Sequence, residues 1–286
     1  MSTIVITGAS QGIGRAVALA YAARASTAPG ASGVRLALLA RNAEALEATA
    51  AACRALGAKA DGFVCDVTDD AAVERASGDV LARLGTPDVL VNNAGAFVPG
   101  GFLETTPEAF RAQVEVNLTS AFLVTRAFLP AMLARAETGP ASSLEASGAS
   151  GSSTRPEGDP TAATSPEASV PLPSSPIPRP PAAGDIVFMA SVASTRGYPG
   201  GTAYGAAKHG LLGLARTLRE ETKDRGLRVI TVLPGATLTP SWDGVDVPKE
   251  RLMPPEAIAQ AVVAATSLPR GAVVEELLIR PQEGDL

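Results

Sequence analysis

Short apolar segments alternate with helical patterns along most of this 286-residue chain. Seven segments have the near-continuous apolar composition of parallel strands covered on both faces: 4–8, 34–40, 62–67, 88–94, 185–191, 227–233 and 273–279. Helical patterns lie between them, at 12–25, 42–56, 69–84, 107–136, 203–225 and 255–267. This alternation predicts an α/β fold with a doubly wound, seven-stranded parallel sheet and helices on both faces. A ligand site is then expected beyond the carboxyl ends of the strands, where the strand order reverses.

Residues 138–184 differ in composition from the rest of the chain. They hold 10 of the 23 prolines, 10 serines and no aromatic residue. Such a stretch cannot bury enough apolar area to offset the entropy of ordering it, so we predict a disordered Pro/Ser/Ala-rich insertion within one domain spanning 1–286. A tolerated loop expansion is the simpler interpretation. The alternative is a Pro-rich ligand for a partner protein, because 176–181 contains a PxxP spacing.

Composition excludes several classes of function. A net charge of −5, a pI near 5.1 and 4% aromatic residues argue against binding to nucleic acid. The sequence contains no run of about 18 uncharged apolar residues, so we expect no spanning helix. Two cysteines, Cys53 and Cys65, and one histidine make neither a disulfide framework nor a metal site. The N-terminus has no basic region or cleavage site of a secretory signal, and we therefore expect a cytoplasmic protein.

A glycine-rich loop follows the first predicted strand and runs directly into a helical pattern. Its glycines permit a tight turn and a close approach of the backbone to a pyrophosphate, and the helix N-terminus offers free N–H groups to the phosphates. This strand, loop and helix predict a dinucleotide site. The residues expected to contact the cofactor here are Gly8, Ser10, Gln11, Gly12, Ile13 and Gly14.

The end of the second predicted strand bears on the choice of nicotinamide cofactor. An acidic residue there would bond the ribose 2′-hydroxyl, whereas an arginine would bind a 2′-phosphate. The chain has Arg41 at this place, which favours NADP(H) over NAD(H). The alternative is an ordinary arginine at a helix start, and Glu44 is the nearest acidic residue.

Tyr204 and Lys208 are four residues apart at the start of a helical pattern, so they share one helix face. A nearby ammonium stabilises phenolate and makes a phenol useful as an acid–base group near neutral pH. Ser191 ends a predicted strand 13 residues before Tyr204 and can face the same cleft. Together they form a candidate catalytic site, with Tyr204 as proton donor and Ser191 as hydrogen-bond donor to a substrate carbonyl.

The combination of TGASQGIG (7–14), NNAG (92–95), Asn117, Ser191, YGAAK (204–208) and PG (234–235) resembles the short-chain dehydrogenase/reductase family. The motifs occur in the family's order, and all of the chain except the insertion fits. The resemblance implies a Rossmann-type fold, usually dimers or tetramers, and hydride transfer between a nicotinamide and a carbonyl or alcohol. Gln11 is a departure, because many NADP-binding relatives have a basic residue there.

The resemblance also implies roles for individual residues. Tyr204 is the acid–base residue, Lys208 binds the nicotinamide ribose and lowers the pKa of the tyrosine, and Ser191 orients the substrate carbonyl. Asn117 holds a water that relays protons to Lys208. Asp66 meets the adenine amine. The full set of further expected cofactor contacts is Asp66, Val67, Asn92, Ala94, Gly95, Pro234 and Gly235.

The resemblance implies a small carbonyl or alcohol compound as the substrate, and Tyr198 and Trp242 are candidate pocket residues beside Ser191. We expect an NADP-dependent reductase of a ketone, aldehyde or 3-oxo acid. A 3-oxoacyl-[acyl-carrier-protein] reductase is an alternative, and the family's 3-hydroxy acid dehydrogenase branch is another resemblance. Two non-enzymatic alternatives are an NADP-sensing or scaffold protein without chemistry, and an interaction module in which the insertion is the active part. Apolar residues on several faces of the helices at 107–136 and 203–225 favour a homodimer or homotetramer.

Overall fold

The computed structural model describes residues 1–27, 33–138 and 182–284. Within these residues, seven parallel strands form one sheet in the order β3-β2-β1-β4-β5-β6-β7. The strands are β1 (Ser2–Thr7), β2 (Val34–Ala40), β3 (Lys59–Val64), β4 (Val89–Asn92), β5 (Gly184–Met189), β6 (Leu227–Pro234) and β7 (Glu276–Ile279). The chain order reverses between β1 and β4, which is the switch point of a doubly wound sheet. The predicted Rossmann-type fold is confirmed.

Helices cover both faces of the sheet. They are α1 (Gly12–Thr27), α2 (Ala43–Ala55), α3 (Asp70–Leu84), α4 (Pro107–Val114), α5 (Ser120–Thr138), α6 (Thr202–Thr222) and α7 (Pro255–Thr266). Several begin at side chains that accept from a free backbone N–H. Asn42 caps α2, Asp69 caps α3 and Thr106 caps α4.

Alternate residues of each inner strand enter two separate core layers. Ile4 and Ile6 of β1 pack with residues of α1, α2 and α7. Val5, between them, packs on the other face with α3, α5 and α6. Because both faces are covered, the inner strands require apolar residues at nearly every position, as their sequences show.

The predicted helix 107–136 is interrupted. A π-helical turn, Glu115–Thr119, separates α4 from α5. Such a turn holds one extra residue and is often found at functional sites. The run 107–137 is the one helix in the described part of the chain with the length and apolar composition to cross a membrane. Phe128 and Met132 of this run are fully buried against the sheet, as in the core helix of a globular domain.

Several predicted boundaries also differ from the structure by a few residues, for example at β7, which begins at Glu276 and not at 273. β3 begins at Lys59 and not at 62, because it lies at an edge of the sheet where exposed polar residues interrupt the apolar pattern. The predicted insertion 138–184 falls mostly on 139–181, which lie outside the described residues. Its last residues belong to the fold, since Ala183 N donates to Gly226 O (3.0 Å) and Gly184 begins β5.

Candidate active site

The candidate site lies at the carboxyl ends of the strands, on either side of the switch point. The glycine loop follows β1, and the NNAG segment leaves β4 beside it. Ser191 follows β5, and Gly235 follows β6, where its N–H donates to Ile279 O (2.7 Å). All motif residues therefore lie at the carboxyl ends of the strands, although they are spread over more than 200 positions of the chain.

The glycine loop requires glycine at three positions. Gly8 and Gly12 have positive φ angles of 64° and 54°, which side chains other than glycine rarely adopt. A Cβ at Gly14 would lie 2.3 Å from Gly8 O, so helix α1 approaches the loop backbone too closely for any side chain. Ser10 and Ile13 are half-buried and Gln11 is exposed. This compact loop at the N-terminus of α1 fits a dinucleotide pyrophosphate.

The two asparagines of NNAG have different partners. Asn93 Nδ2 donates to Thr7 O (2.9 Å) and Gly8 O (3.3 Å) and thereby braces the glycine loop. Asn92 is buried, and its Nδ2 donates to Thr125 Oγ1 (2.8 Å) on α5. The Asn92 side chain thus points to α5, and only its backbone remains for the predicted contact with the cofactor. Adjacent residues leaving a strand point in opposite directions, so the side chain of Asn93 faces the glycine loop.

Arg41 and Asp66 occupy the ends of β2 and β3, next to the glycine loop. Ala9 N donates to Leu39 O (3.2 Å), which ties the loop to the end of β2. Arg41 is exposed. Asp66 Oδ1 accepts from Thr68 N (3.0 Å) and Thr68 Oγ1 (2.8 Å). These hydrogen bonds, and to a smaller extent the charge of Arg41, lower the pKa of Asp66.

Val67, the residue after Asp66, points its side chain away from the candidate site. Its side chain is buried in the core layer that contains α3, α5 and α6. Only its backbone remains for the predicted contact with the cofactor.

Ser191 and Tyr204 meet at the end of β5. Ser191 caps a short 3₁₀ helix, and its Oγ accepts from Ala193 N (3.1 Å). Tyr204 lies in the first turn of α6, and the Ser191 hydroxyl is close enough to act on the pKa of its phenol. Burial raises the pKa of Tyr204 above its ordinary value of 10, and the Ser191 hydroxyl offsets part of this increase.

Lys208 lies one turn after Tyr204, on the same face of α6. Its Nζ is 5.5 Å from the centre of the Tyr204 ring and donates to Met189 O (2.8 Å). Its side chain is buried, and this burial lowers its pKa to about 8. The groups that act on the pKa of Tyr204 are the surrounding protein and Ser191, and the net shift is upward. The spacing of Tyr204 and Lys208 indicates the nearby ammonium but not the burial that opposes its effect on the pKa of the phenol.

Asn117 lies in the π-helical turn and reaches the segment that follows β4. Its Nδ2 donates to Ala96 O (2.8 Å), and its Oδ1 accepts from Ala96 N (3.2 Å). A Cβ at Gly95 would lie 2.7 Å from Asn117 Oδ1 and 3.6 Å from Lys208 Nζ. The NNAG segment, the π-helical turn and α6 therefore converge on Lys208, and Gly95 leaves the space in which they meet.

Aromatic side chains stand beside Tyr204. The Phe97 ring meets the Tyr204 ring edge-on, with centroids 5.1 Å apart and an interplanar angle of 70°. Tyr198 lies 6.3 Å from Phe97 and is partly exposed, and burial raises its pKa to about 12. Trp242 ends the 3₁₀ helix Pro240–Trp242, in a segment that lies against the glycine loop. A Cβ at Gly12 would be 3.3 Å from Thr239 Cγ2, and a cleft of about 290 Å³ separates this segment from α1.

A doubly wound sheet with a glycine loop at the switch point and a Ser–Tyr–Lys cluster beside it defines a dinucleotide-dependent oxidoreductase. The chain belongs to the short-chain dehydrogenase family, because residues 2–141 and 179–248, more than half of the chain, match the model of that family. The resemblance seen in the motifs is thus confirmed. The chain is an oxidoreductase that acts on CH–OH or C=O groups. Residues 142–178 have no counterpart in the match.

Individual relatives support the same assignment. A sepiapterin reductase of Chlorobaculum tepidum is 33% identical over 284 residues, which is 99% of this chain and 97% of the relative. A 3-oxoacyl-[acyl-carrier-protein] reductase of Escherichia coli is 29% identical over 231 residues, 81% of this chain and 71% of the relative. Among solved structures, an alcohol dehydrogenase from the archaeon Thermococcus sibiricus, complexed with 5-hydroxy-NADP, is 28% identical with a TM-score of 0.75. That comparison covers 99% of this chain and 97% of the other.

Proposed function

We propose that this enzyme reduces the carbonyl group of a small ketone, aldehyde or 3-oxo acid with NADPH, and that Tyr204 is its proton donor. The observation that carries the proposal is the arrangement of Ser191, Tyr204 and Lys208 beside the glycine loop. The bound cofactor supplies the hydride that the protein itself cannot supply. The glycine loop, the N-terminus of α1 and Lys208 would hold it.

The chemistry of the three side chains fits carbonyl reduction. Ser191 Oγ accepts from Ala193 N, and its O–H can donate to a substrate oxygen bound beside the Tyr204 phenol. Because the pKa of Tyr204 is raised, its phenol is protonated at neutral pH and can donate that proton to the developing alkoxide. Lys208, whose pKa is about 8, is mostly charged at neutral pH and stabilises the phenolate that remains.

NADP(H) is the cofactor that the adenosine end of the site favours. Arg41 is exposed at the end of β2 and beside Asp66, where a ribose 2′-phosphate would lie in this fold. A guanidinium there forms charge-assisted hydrogen bonds with phosphate. The Thermococcus sibiricus structure with 5-hydroxy-NADP supports the same choice.

The family's pattern and the surface of the α4–α5 run support a homodimer or homotetramer. Phe110 and Phe122 are 38% and 46% exposed on these helices. Covering such side chains in a symmetric interface would remove apolar area from water. Light scattering of the purified protein measures the assembly. The predicted cytoplasmic location stays a prediction.

Replacing Tyr204 by Phe tests the proposal. We expect turnover to fall by roughly 10²- to 10⁴-fold while NADPH binding, followed by fluorescence, is unchanged. Tyr21→Phe is the matched control. Tyr21 is buried between α1 and α7 and hydrogen-bonded to Thr266 Oγ1, far from the cleft. It should keep full turnover.

Turnover is measured as NADPH oxidation with sepiapterin, ethyl acetoacetate and acetoacetyl-coenzyme A. The last substrate represents the alternative, a 3-oxoacyl-[acyl-carrier-protein] reductase, which the Escherichia coli relative favours. Full turnover of the Tyr204→Phe variant would remove Tyr204 from the mechanism.

A further inference from the structure

Gln113 is a buried amide in the last turn of α4, and the sequence motifs did not indicate it. It is 4% exposed. Its Nε2 donates to Val98 O (3.0 Å), and its Oε1 accepts from Asn117 Nδ2 (3.0 Å). Both ends of the amide are therefore engaged, one with the neighbouring π-helical turn and the other with the segment that follows β4.

Gln113 and Asn117 together hold the backbone of residues 96–98. Asn117 makes two hydrogen bonds with the backbone of Ala96, and Gln113 makes the bond to Val98 O. Phe97 lies between these two attachment points. Its backbone is therefore fixed on both sides by side chains from adjacent turns of one helical run.

The Phe97 ring in turn packs on the proposed proton donor. It meets Tyr204 edge-on at 5.1 Å and lies 6.3 Å from Tyr198. An edge-to-face aromatic contact has a preferred geometry, so a shift of Phe97 changes where the Tyr204 ring rests. Gln113 is bonded to Val98 and Asn117, and it acts on Tyr204 through the segment that it holds.

We propose that Gln113 is a positioning residue of the reaction, which sets the place of Phe97 and through it the orientation of the Tyr204 phenol. The proposal rests on the proposed role of Tyr204. The bond to Val98 O is suited to this task because Val98 is exposed. When Gln113 no longer donates, water satisfies the carbonyl, and the segment loses its position without a buried polar group being left unpaired.

A double-mutant cycle tests the proposal with the full chain. The variants are Gln113→Leu, Phe97→Ala and the pair. Gln260→Leu is the matched control on the exposed face of α7. We expect Gln113→Leu and Phe97→Ala each to lower kcat roughly 10- to 100-fold, with NADPH affinity unchanged. The pair should be no worse than Phe97→Ala alone, because Gln113 acts through Phe97. Gln260→Leu should match the wild type.

A titration of phenolate absorbance supplies a readout that needs no substrate. Burial raises the pKa of Tyr204, so loosening the Phe97 contact should lower it toward about 10 in Gln113→Leu and in Phe97→Ala. Lys208 and Tyr198, which face Tyr204, are unchanged in these variants. The new signal should disappear when Tyr204→Phe is added.

Three results would overturn the proposal: wild-type kcat and titration in Gln113→Leu, losses that add in the pair, or an equal loss in Gln260→Leu. If Gln113→Leu does not fold, Gln113→Glu replaces it. That variant keeps an acceptor for Asn117 and lacks the donor to Val98 O, and the same results apply. If Tyr204→Phe keeps its turnover, the proposed function fails, whereas the titration still reports whether Gln113 and Phe97 are coupled.

Discussion

Burial acts in opposite directions on the pKa values of two residues that lie one turn apart on α6. It raises the pKa of the Tyr204 phenol and lowers the pKa of the Lys208 ammonium to about 8. Each shift favours the neutral side chain, because a low-dielectric site disfavours charge of either sign. At neutral pH the pair is still a protonated phenol beside a mostly charged ammonium, which is the state that carbonyl reduction requires.

Lys208 makes the stability of the protein depend on pH. Below pH 8 both the folded and the unfolded chain hold its proton, and the folded state bears the cost of a buried charge. Between pH 8 and 10 the unfolded chain still holds the proton while the folded protein releases it, so the free energy of unfolding rises with pH. Relative to Lys208→Met, the wild type should gain on the order of 2 kcal/mol across this window.

Urea denaturation of both proteins at several pH values measures this difference. Subtracting the free energy of unfolding of Lys208→Met from that of the wild type removes the contributions of groups present in both proteins. Measurements stop at pH 10 so that Tyr204 remains mostly protonated. A difference that is flat from pH 8 to 10 would contradict the shifted pKa of Lys208.

Arg41 should determine the preference between the two nicotinamide cofactors. Arg41→Ala removes charge-assisted hydrogen bonds to a 2′-phosphate, each worth about 1.5–3 kcal/mol. We expect the KM for NADPH to rise roughly 10- to 100-fold and the KM for NADH to change little. Arg225→Ala is the control, because Arg225 pairs with Glu137 at the amino ends of the strands, away from the candidate site. Equal effects on both cofactors would contradict the proposal.

At the scale of elements, the amino ends of β5 and β6 are joined by a buried ion pair. Asp185 and Arg228 are partners in the strand register, and Arg228 donates twice to the Asp185 carboxylate (2.8 and 2.7 Å). Arg228 also donates to three backbone carbonyl groups, one of the last residue of α7, Thr266, and two of the segment that follows it, Leu268 and Ala272. Arg270 adds a bond to Asp185 (2.7 Å) from a half-exposed position. This cluster fixes the end of α7 against the sheet.

Asp185→Asn should destabilise the protein by about 3–5 kcal/mol, because it leaves the buried charge of Arg228 without its counter-ion. Arg270→Met is the comparison and should cost less than about 1 kcal/mol, since Arg270 is 41% exposed. Urea denaturation measures both. The kcat of the folded variants should equal that of the wild type, because the cluster lies at the amino ends of the strands and the candidate site lies at their carboxyl ends. Similar losses of stability in both variants would contradict the claim that the buried pair of Asp185 and Arg228 stabilises the protein more than the exposed bond of Arg270.

For the molecule as a whole, the candidate site and the connection between α5 and β5 lie at opposite ends of the strands. The site lies at their carboxyl ends, and the connection lies at their amino ends. α5 ends at Thr138 and β5 starts at Gly184, whereas Ser191 follows the other end of β5. Arg135 on α5 donates to Ala183 O, so the two ends of the connection lie next to each other. A short linker is therefore sufficient to join them.

Deleting 142–178, which have no counterpart in the family match, should leave kcat/KM within about twofold of the wild type. Circular dichroism and NADPH oxidation measure fold and activity in parallel. A large loss of turnover with unchanged circular dichroism would show that the segment contributes to the site.

The fold and the main motifs could be predicted because their signals are local. An apolar strand, a glycine loop and a helix start are consecutive in sequence, and Tyr204 and Lys208 share a face through helical spacing alone. Boundaries were less accurate where tertiary context decides them. β3 lies at a sheet edge, and the π-helical turn at 115–119 follows no pattern of apolar residues.

The contacts that hold the site together could not be predicted in the same way. Asn93 binds Thr7 O, 86 positions away, and Gln113 binds Val98 O, 15 positions away. The sign of the net shift in the pKa of Tyr204 also depended on how deeply α6 packs against the end of β5. Spacing along the chain specifies which residues share an element. The partners of each side chain and its exposure to water follow from how separate elements pack, since both depend on atoms far away in sequence.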